Sequence, residues 1–128
     1  MNSILSINLR GMGDPSKQYC LKDVINSEMP IIVFIQESLC DRQKAIKNVL
    51  AIRPGWHVAA IDVVGHSGEL VAFWDHCIIK FSAYSFFGGI LLSGFLCAIP
   101  EKINMINLYS PYSSRYDFWR RMHISGII

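Results

Sequence analysis

The sequence predicts an α/β (α+β) fold, one mixed sheet with helices on one face. Three observations carry this expectation. Over residues 1–54 two short apolar runs alternate with two stretches of helical period, and beyond residue 55 five strand-like runs follow one another. Strands alternating with helices and then running on alone are the pattern of a sheet whose helices gather on one side. The 128-residue length suits a single domain, 1–128.

Each element has a local reason. Ser3 to Asn8 reads as a strand through Ile4, Leu5 and Ile7. The turn Arg10-Gly11-Met12-Gly13 leads to Asp14-Pro15, where Asp14 caps a helix and Pro15 fits its first position. Cys20, Leu21, Val24 and Ile25 share one face, and Pro30 ends the run. Ile31-Ile32-Val33-Phe34-Ile35 has no polar alternation, so it reads as a central strand buried on both faces. Asp41 caps a second helix with Ala45, Ile46, Val49 and Leu50 as its apolar stripe, closed by Pro54-Gly55. Residues 56–63, 70–74, 77–83, 90–99 and 103–109 then read as strands. Turn signals at Gly65-Gly68, Asp75-His76, Gly88-Gly89 and Pro100-Glu101 separate them. Ser114 caps a last helix, to His123, with Asp117 three residues on.

Composition narrows the function classes. Apolar residues make up 52% and charged residues 17%, which excludes intrinsic disorder. A mean hydropathy of +0.31 is high for so small a domain. Net charge is +2, and neither half is polarised, so no strong basic patch announces binding to nucleic acid by charge alone. Arg115, Arg120 and Arg121 read as a solvated helix face. Cys20, Cys40, Cys77 and Cys97 lie at least twenty residues apart, so they form no zinc pair and are expected as buried free thiols. The N-terminus lacks a signal peptide, and the location expected is intracellular, the nucleus included. Residues 81–100 carry no charge, the length of a membrane helix, but the glycines and serines within point to a hairpin.

Chemistry concentrates at strand ends. Gly11-Met12-Gly13 lacks the third glycine of a dinucleotide loop and the Lys-Ser/Thr of a nucleotide loop, so it reads as a tight turn. Glu37 directly follows the buried run, at the strand's C-terminal end, where open α/β sheets bind ligands. A carboxylate there suits a hard cation such as Mg²⁺. Asn8 ends the first strand and can meet Glu37 at the same edge. Tyr109 ends the last strand and offers a hydroxyl to a phosphoryl oxygen. His57, His66 and His76 show no metal-ligand spacing.

In order along the chain, these positions resemble the endonuclease/exonuclease/phosphatase family, closest to the endonuclease domain of plant LINE-type (non-LTR) retrotransposons. Ser6 to Gly13 is similar to the family opening N-C-R-G-L-G, and Ile32 to Ser38 to I-x-F-L-Q-E-T. Residues 65–74 are similar to G-R-S-G-G-L-A-L-L-W, residues 107–111 to N-x-Y-x-P, and Phe118-Trp119 also match. The resemblance implies part of a four-layer sandwich and a metal-dependent phosphodiesterase acting on DNA. It assigns Glu37 to a Mg²⁺ (or Mn²⁺) ion, Asn8 to the metal and phosphate network, and Tyr109 to the scissile phosphate.

The sequence also departs from the pattern. Glu69 stands where the family has a second glycine, and Tyr112 where relatives place an asparagine. The G-D-F-N and S-D-H motifs that supply the base are absent from these residues. The chain therefore reads as the N-terminal half of such a domain, inactive by itself. Two alternatives stand beside this: a non-enzymatic remnant or half-domain completed by another chain, and a membrane-associated peptide through 81–100. A half-domain is also expected to expose an apolar sheet face open to self-association.

Overall fold

The computed structural model describes residues 3–62, 69–86, 88–98, 100–108, 117 and 120–121. Their order is β1 (Ile4–Asn8), α1 (Pro15–Glu28), β2 (Ile32–Gln36), α2 (Arg42–Ile52) and β3 (His57–Asp62). Then follow β4 (Glu69–Trp74), β5 (Ile79–Phe86), β6 (Gly89–Leu96) and β7 (Lys102–Leu108). The mixed α+β class is as expected. The single sheet is not, because the strands divide into a four-stranded sheet, β1-β2-β4-β3, and a three-stranded sheet, β5-β6-β7.

The division happens at Asp75. Its carbonyl accepts from the Ile78 and Ile79 amides at 3.1 and 3.0 Å, and its carboxylate accepts from Cys77 N at 3.0 Å. This turn sends the chain out of the first sheet and into a second layer. The first sheet is mixed, with β2 parallel to β1 and antiparallel to β4. The second is antiparallel throughout.

Both helices start where capping chemistry dictates. Asp14 accepts from Ser16 N at 2.9 Å and from Ser16 Oγ at 2.8 Å, and Asp41 accepts from Lys44 N at 2.8 Å. α1 ends at Met29, which takes a left-handed φ of 50° before Pro30. The Arg53 guanidinium donates to Asn26 Oδ1 at 3.0 Å and to Ile25 O at 3.4 Å, tying the end of α2 to α1.

Two apolar clusters sit on opposite faces of the first sheet. On the helix side Val33, Ile35, Val71 and Phe73 pack with Leu21, Ile25, Ala45 and Val49. On the other side Ile32, Phe34, Leu70, Ala72 and Trp74 meet Ile79, Phe81, Ile90 and Leu92 of the second sheet. Strands β2 and β4 are thus covered on both faces, as the unbroken apolar run 31–35 predicts. Burying each large side chain of this kind contributes about 1.5–3 kcal/mol.

Helices cover one face of the first sheet and the second sheet covers the other, while Ile4 of β1 and Tyr84 and Phe95 on the outer face of the second sheet are exposed. Other expectations are corrected. The outer face of the second sheet is polar at Lys80, Ser82, Ser93 and Asn104, and apolar at Tyr84, Leu91 and Ile106. The cysteines are free, but Cys20, Cys77 and Cys97 are exposed and Cys40 is half-buried. Residues 81–98 belong largely to the β5–β6 hairpin, and no helix among the described residues is long and apolar enough to cross a membrane. Of the helix expected over 114–123, Asp117, Arg120 and Arg121 are described, as helical and exposed. Tyr109 and the segment 65–68 lie outside the described residues.

Candidate active site

The C-terminal edge of the parallel pair β1–β2 gathers the polar groups. Asn8 stands in register with Gln36, so Glu37 follows one residue beyond Asn8's partner. The two chains continue side by side past the strand ends. Leu9 N donates to Gln36 O at 3.0 Å, Gly11 N to Glu37 O at 2.9 Å and Met12 N to Ser38 O at 2.6 Å. This ladder brings Asn8 and Glu37 to one edge, where the sequence expects them to meet, and adds Arg10 from the turn that follows.

The backbone at this edge is strained. Arg10, Glu37 and Leu39 take φ of 52°, 54° and 52°, a left-handed region that non-glycine residues rarely occupy. Such positions cost of the order of 1–3 kcal/mol each and gather at functional sites. The surrounding ladder of amide bonds holds them there.

Arg10 Nε lies 3.8 Å from Glu37 Oε2, with 75% of the arginine side chain and 22% of the glutamate exposed. Lys17 Nζ donates to the Arg10 carbonyl at 2.5 Å. The Glu37 carboxylate thus has one cation, Arg10, beside it, while Lys17 ties down the Arg10 backbone. Asn8 is exposed and reachable from solvent.

Behind this edge lies a contact between the sheets. Asn107 of β7 is 2% exposed, and its amide nitrogen donates to Val71 O at 3.0 Å and Ile35 O at 3.3 Å. Gln36 Nε2 donates to Asn107 Oδ1 at 2.8 Å and to Ser6 Oγ at 3.2 Å. Asn107 and Gln36 thus hold the end of β2, and with it Glu37, against the second sheet. Both residues stand within the motif-like segments 32–38 and 107–111, where sequence alone assigns neither this role. The available signal was a polar residue at an inward position of β7.

Glu69 opens β4 beside the same loop, where its carbonyl accepts from Ser38 N at 3.3 Å. Burial pushes its carboxyl above the usual carboxylate range, and Asp62 across the strand pair adds to this. Amides of Glu69, Leu39 and Cys40 pull the other way. Its Oε2 is buried without a hydrogen-bond partner. Burial likewise raises the Cys40 thiol, with Glu69 as a further cause.

Glu37 offers one carboxylate to a metal ion, and no group of three or more His, Cys, Asp or Glu gathers among the described residues. A hard cation bound there would have to keep most of its waters and complete its shell from outside the protein. The single carboxylate does not make a closed all-protein cage. Tyr109 lies outside the described residues, so its place at this edge is not part of the geometry.

No protein-family model and no curated protein matches the sequence. Solved structures do match. The AP endonuclease LMAP from Leishmania major superposes with a TM-score of 0.65 at 10% identity, over 98% of this chain and 45% of that one. Truncated TDP2 from Caenorhabditis elegans gives 0.65 at 17% identity, over 98% and 52%. An AP endonuclease from Archaeoglobus fulgidus gives 0.60 at 19% identity, over 92% and 46%. The chain spans about half the length of these structures, and over that span it shares their fold.

Proposed function

We propose that this chain forms one half of a phosphodiesterase site acting on DNA, of the retrotransposon endonuclease type, with Mg²⁺ or Mn²⁺ held through Glu37. The observation that carries the reading is the strained Glu37, paired to Arg10 and beside Asn8 at the C-terminal edge of a doubly buried strand. When bound, the cation would polarise a phosphate oxygen and stabilise the charge developing on it. Asn8 would orient that phosphate, Arg10 would neutralise a neighbouring one, and Tyr109 would contact the scissile group. With a net charge of +2, the affinity for DNA is weak and falls with salt.

The same reading holds that the isolated chain binds the cation but does not cleave. Support comes from the single carboxylate and from the missing G-D-F-N and S-D-H motifs. Plasmid nicking with Mg²⁺ tests cleavage. Wild type is expected to match the Glu37→Ala blank, and nicking by wild type alone would overturn the inactivity. Broadening of amide NMR signals by Mn²⁺ tests the metal, with a dissociation constant on the order of millimolar expected for so few protein ligands. Broadening centred on residues 8–10 and 36–38, lost in Glu37→Ala, supports the site. Broadening elsewhere, or unchanged in the variant, refutes it.

A further inference from the structure

Two exposed thiols meet at the open end of the β5–β6 hairpin. Cys97 Sγ–H donates to the carbonyl oxygen of Cys77 at 3.3 Å. Both backbones are pinned. Cys97 N donates to Ile78 O at 2.9 Å, extending the pairing of Ile79 with Leu96 by one step, and Cys77 N donates to Asp75 Oδ1 at 3.0 Å. The sulfur of one cysteine therefore already sits against the residue that carries the other. Cys20 on α1 and Cys40 after β2 belong to the helix side of the first sheet, away from this pair.

We propose that Cys77 and Cys97 are a redox-sensitive dithiol that closes to an intramolecular disulfide in the presence of a small-molecule disulfide such as oxidised glutathione. One protein thiolate attacks the glutathione S–S bond, forms a mixed disulfide and expels one glutathione thiolate. The second protein thiolate attacks the protein sulfur of that mixed disulfide and expels the other. The protein loses two electrons and two protons, and one glutathione disulfide becomes two thiols. The bond would staple the hairpin end that carries Ile79 and Leu96. The opposite end, where Ile90 pairs with Asn107, faces the candidate site. Closing the loop restricts the unfolded chain, so the oxidised form is the more stable one.

Intact-mass measurement after incubation with oxidised glutathione tests this. The wild-type peptides carrying Cys77 and Cys97 are expected to lose two hydrogens and be joined by one link, whatever adduct the exposed Cys20 takes up. Cys77→Ser and Cys97→Ser are each expected to gain one glutathione at the remaining thiol of the pair. Oxidised wild type should melt at a higher Tm than reduced, reversibly with dithiothreitol, with no such shift in either variant. Independent glutathione adducts on both cysteines of wild type, a link to Cys20 or Cys40, or no reaction would each overturn the proposal.

Discussion

At the scale of single residues, three polar groups decide more than their number suggests. Asn107 joins the sheets through three hydrogen bonds inside an apolar layer. Its removal takes the donor from two strand carbonyls and one of the two acceptors from Gln36, so Asn107→Ala should cost roughly 1–3 kcal/mol by urea unfolding. Asn107→Asp turns two donated bonds into carboxylate–carbonyl repulsion. It should cost more than alanine at pH 7 and recover as acid protonates it. Glu69 behaves in the opposite sense to an ion-paired carboxylate. Its folded-state pKa is raised, first by burial and then by Asp62. The stability this contributes is full below the ordinary glutamate range and is lost as pH rises through the raised value. Glu69→Gln should therefore stabilise the chain at pH 7 and flatten that part of its pH profile. His76 has the converse dependence. Its pKa is lowered by burial first, then by His57 and Lys80, and its Nδ1 accepts from Trp74 Nε1 at 3.3 Å. That stability is present at neutral pH and falls as acid protonates the ring. His76→Asn should remove the loss of Tm between neutral and mildly acidic pH.

At the scale of elements, caps and close approaches set the boundaries. Asp41 accepts the Lys44 amide at the start of α2, and Asp41→Ala should cost about 0.5–2 kcal/mol in thermal or urea unfolding. Gly94 on β6 has the carbonyl of Lys80 against the place where a Cβ would go. Gly94→Ala must push β5 away and should cost about 1–3 kcal/mol, read as a lower Tm. Most of these elements were legible because their causes are local. Asp14-Pro15, Asp41 and Pro54-Gly55 mark helix ends by their own chemistry, and the run 31–35 can satisfy its apolar side chains only as a covered strand. The exposure of Cys20 is not legible in the sequence, because periodicity does not say which way a stripe is turned. α1 faces the sheet with Leu21 and Ile25, and Cys20 falls outside.

At the scale of the molecule, the first sheet is the shared wall between two cores. Residues of β2 alternate between them, Val33 and Ile35 toward the helices and Ile32 and Phe34 toward the second sheet. Neither core can melt while the other stays packed, because each uses the same strands. Hydrogen exchange should therefore be slowest in β2 and β4, and near- and far-ultraviolet dichroism should lose signal in one transition. Separate transitions would show the β5–β7 sheet to be an independent unit. The two-sheet arrangement also accounts for the high apolar content, since three layers stacked face to face bury two interfaces within one small chain.

The sequence by itself determined the order of helices and strands, their caps, the burial of the second strand, and the placing of Asn8 and Glu37 at strand ends. These follow from the chemistry of neighbours a few residues apart. The division into two sheets, the seat of Asn107 between them, the ion pair of Arg10 with Glu37, and the meeting of Cys77 with Cys97 needed tertiary structure. Each joins residues far apart in sequence or turns on the direction a strand takes after Asp75, and periodicity carries no record of which face meets which.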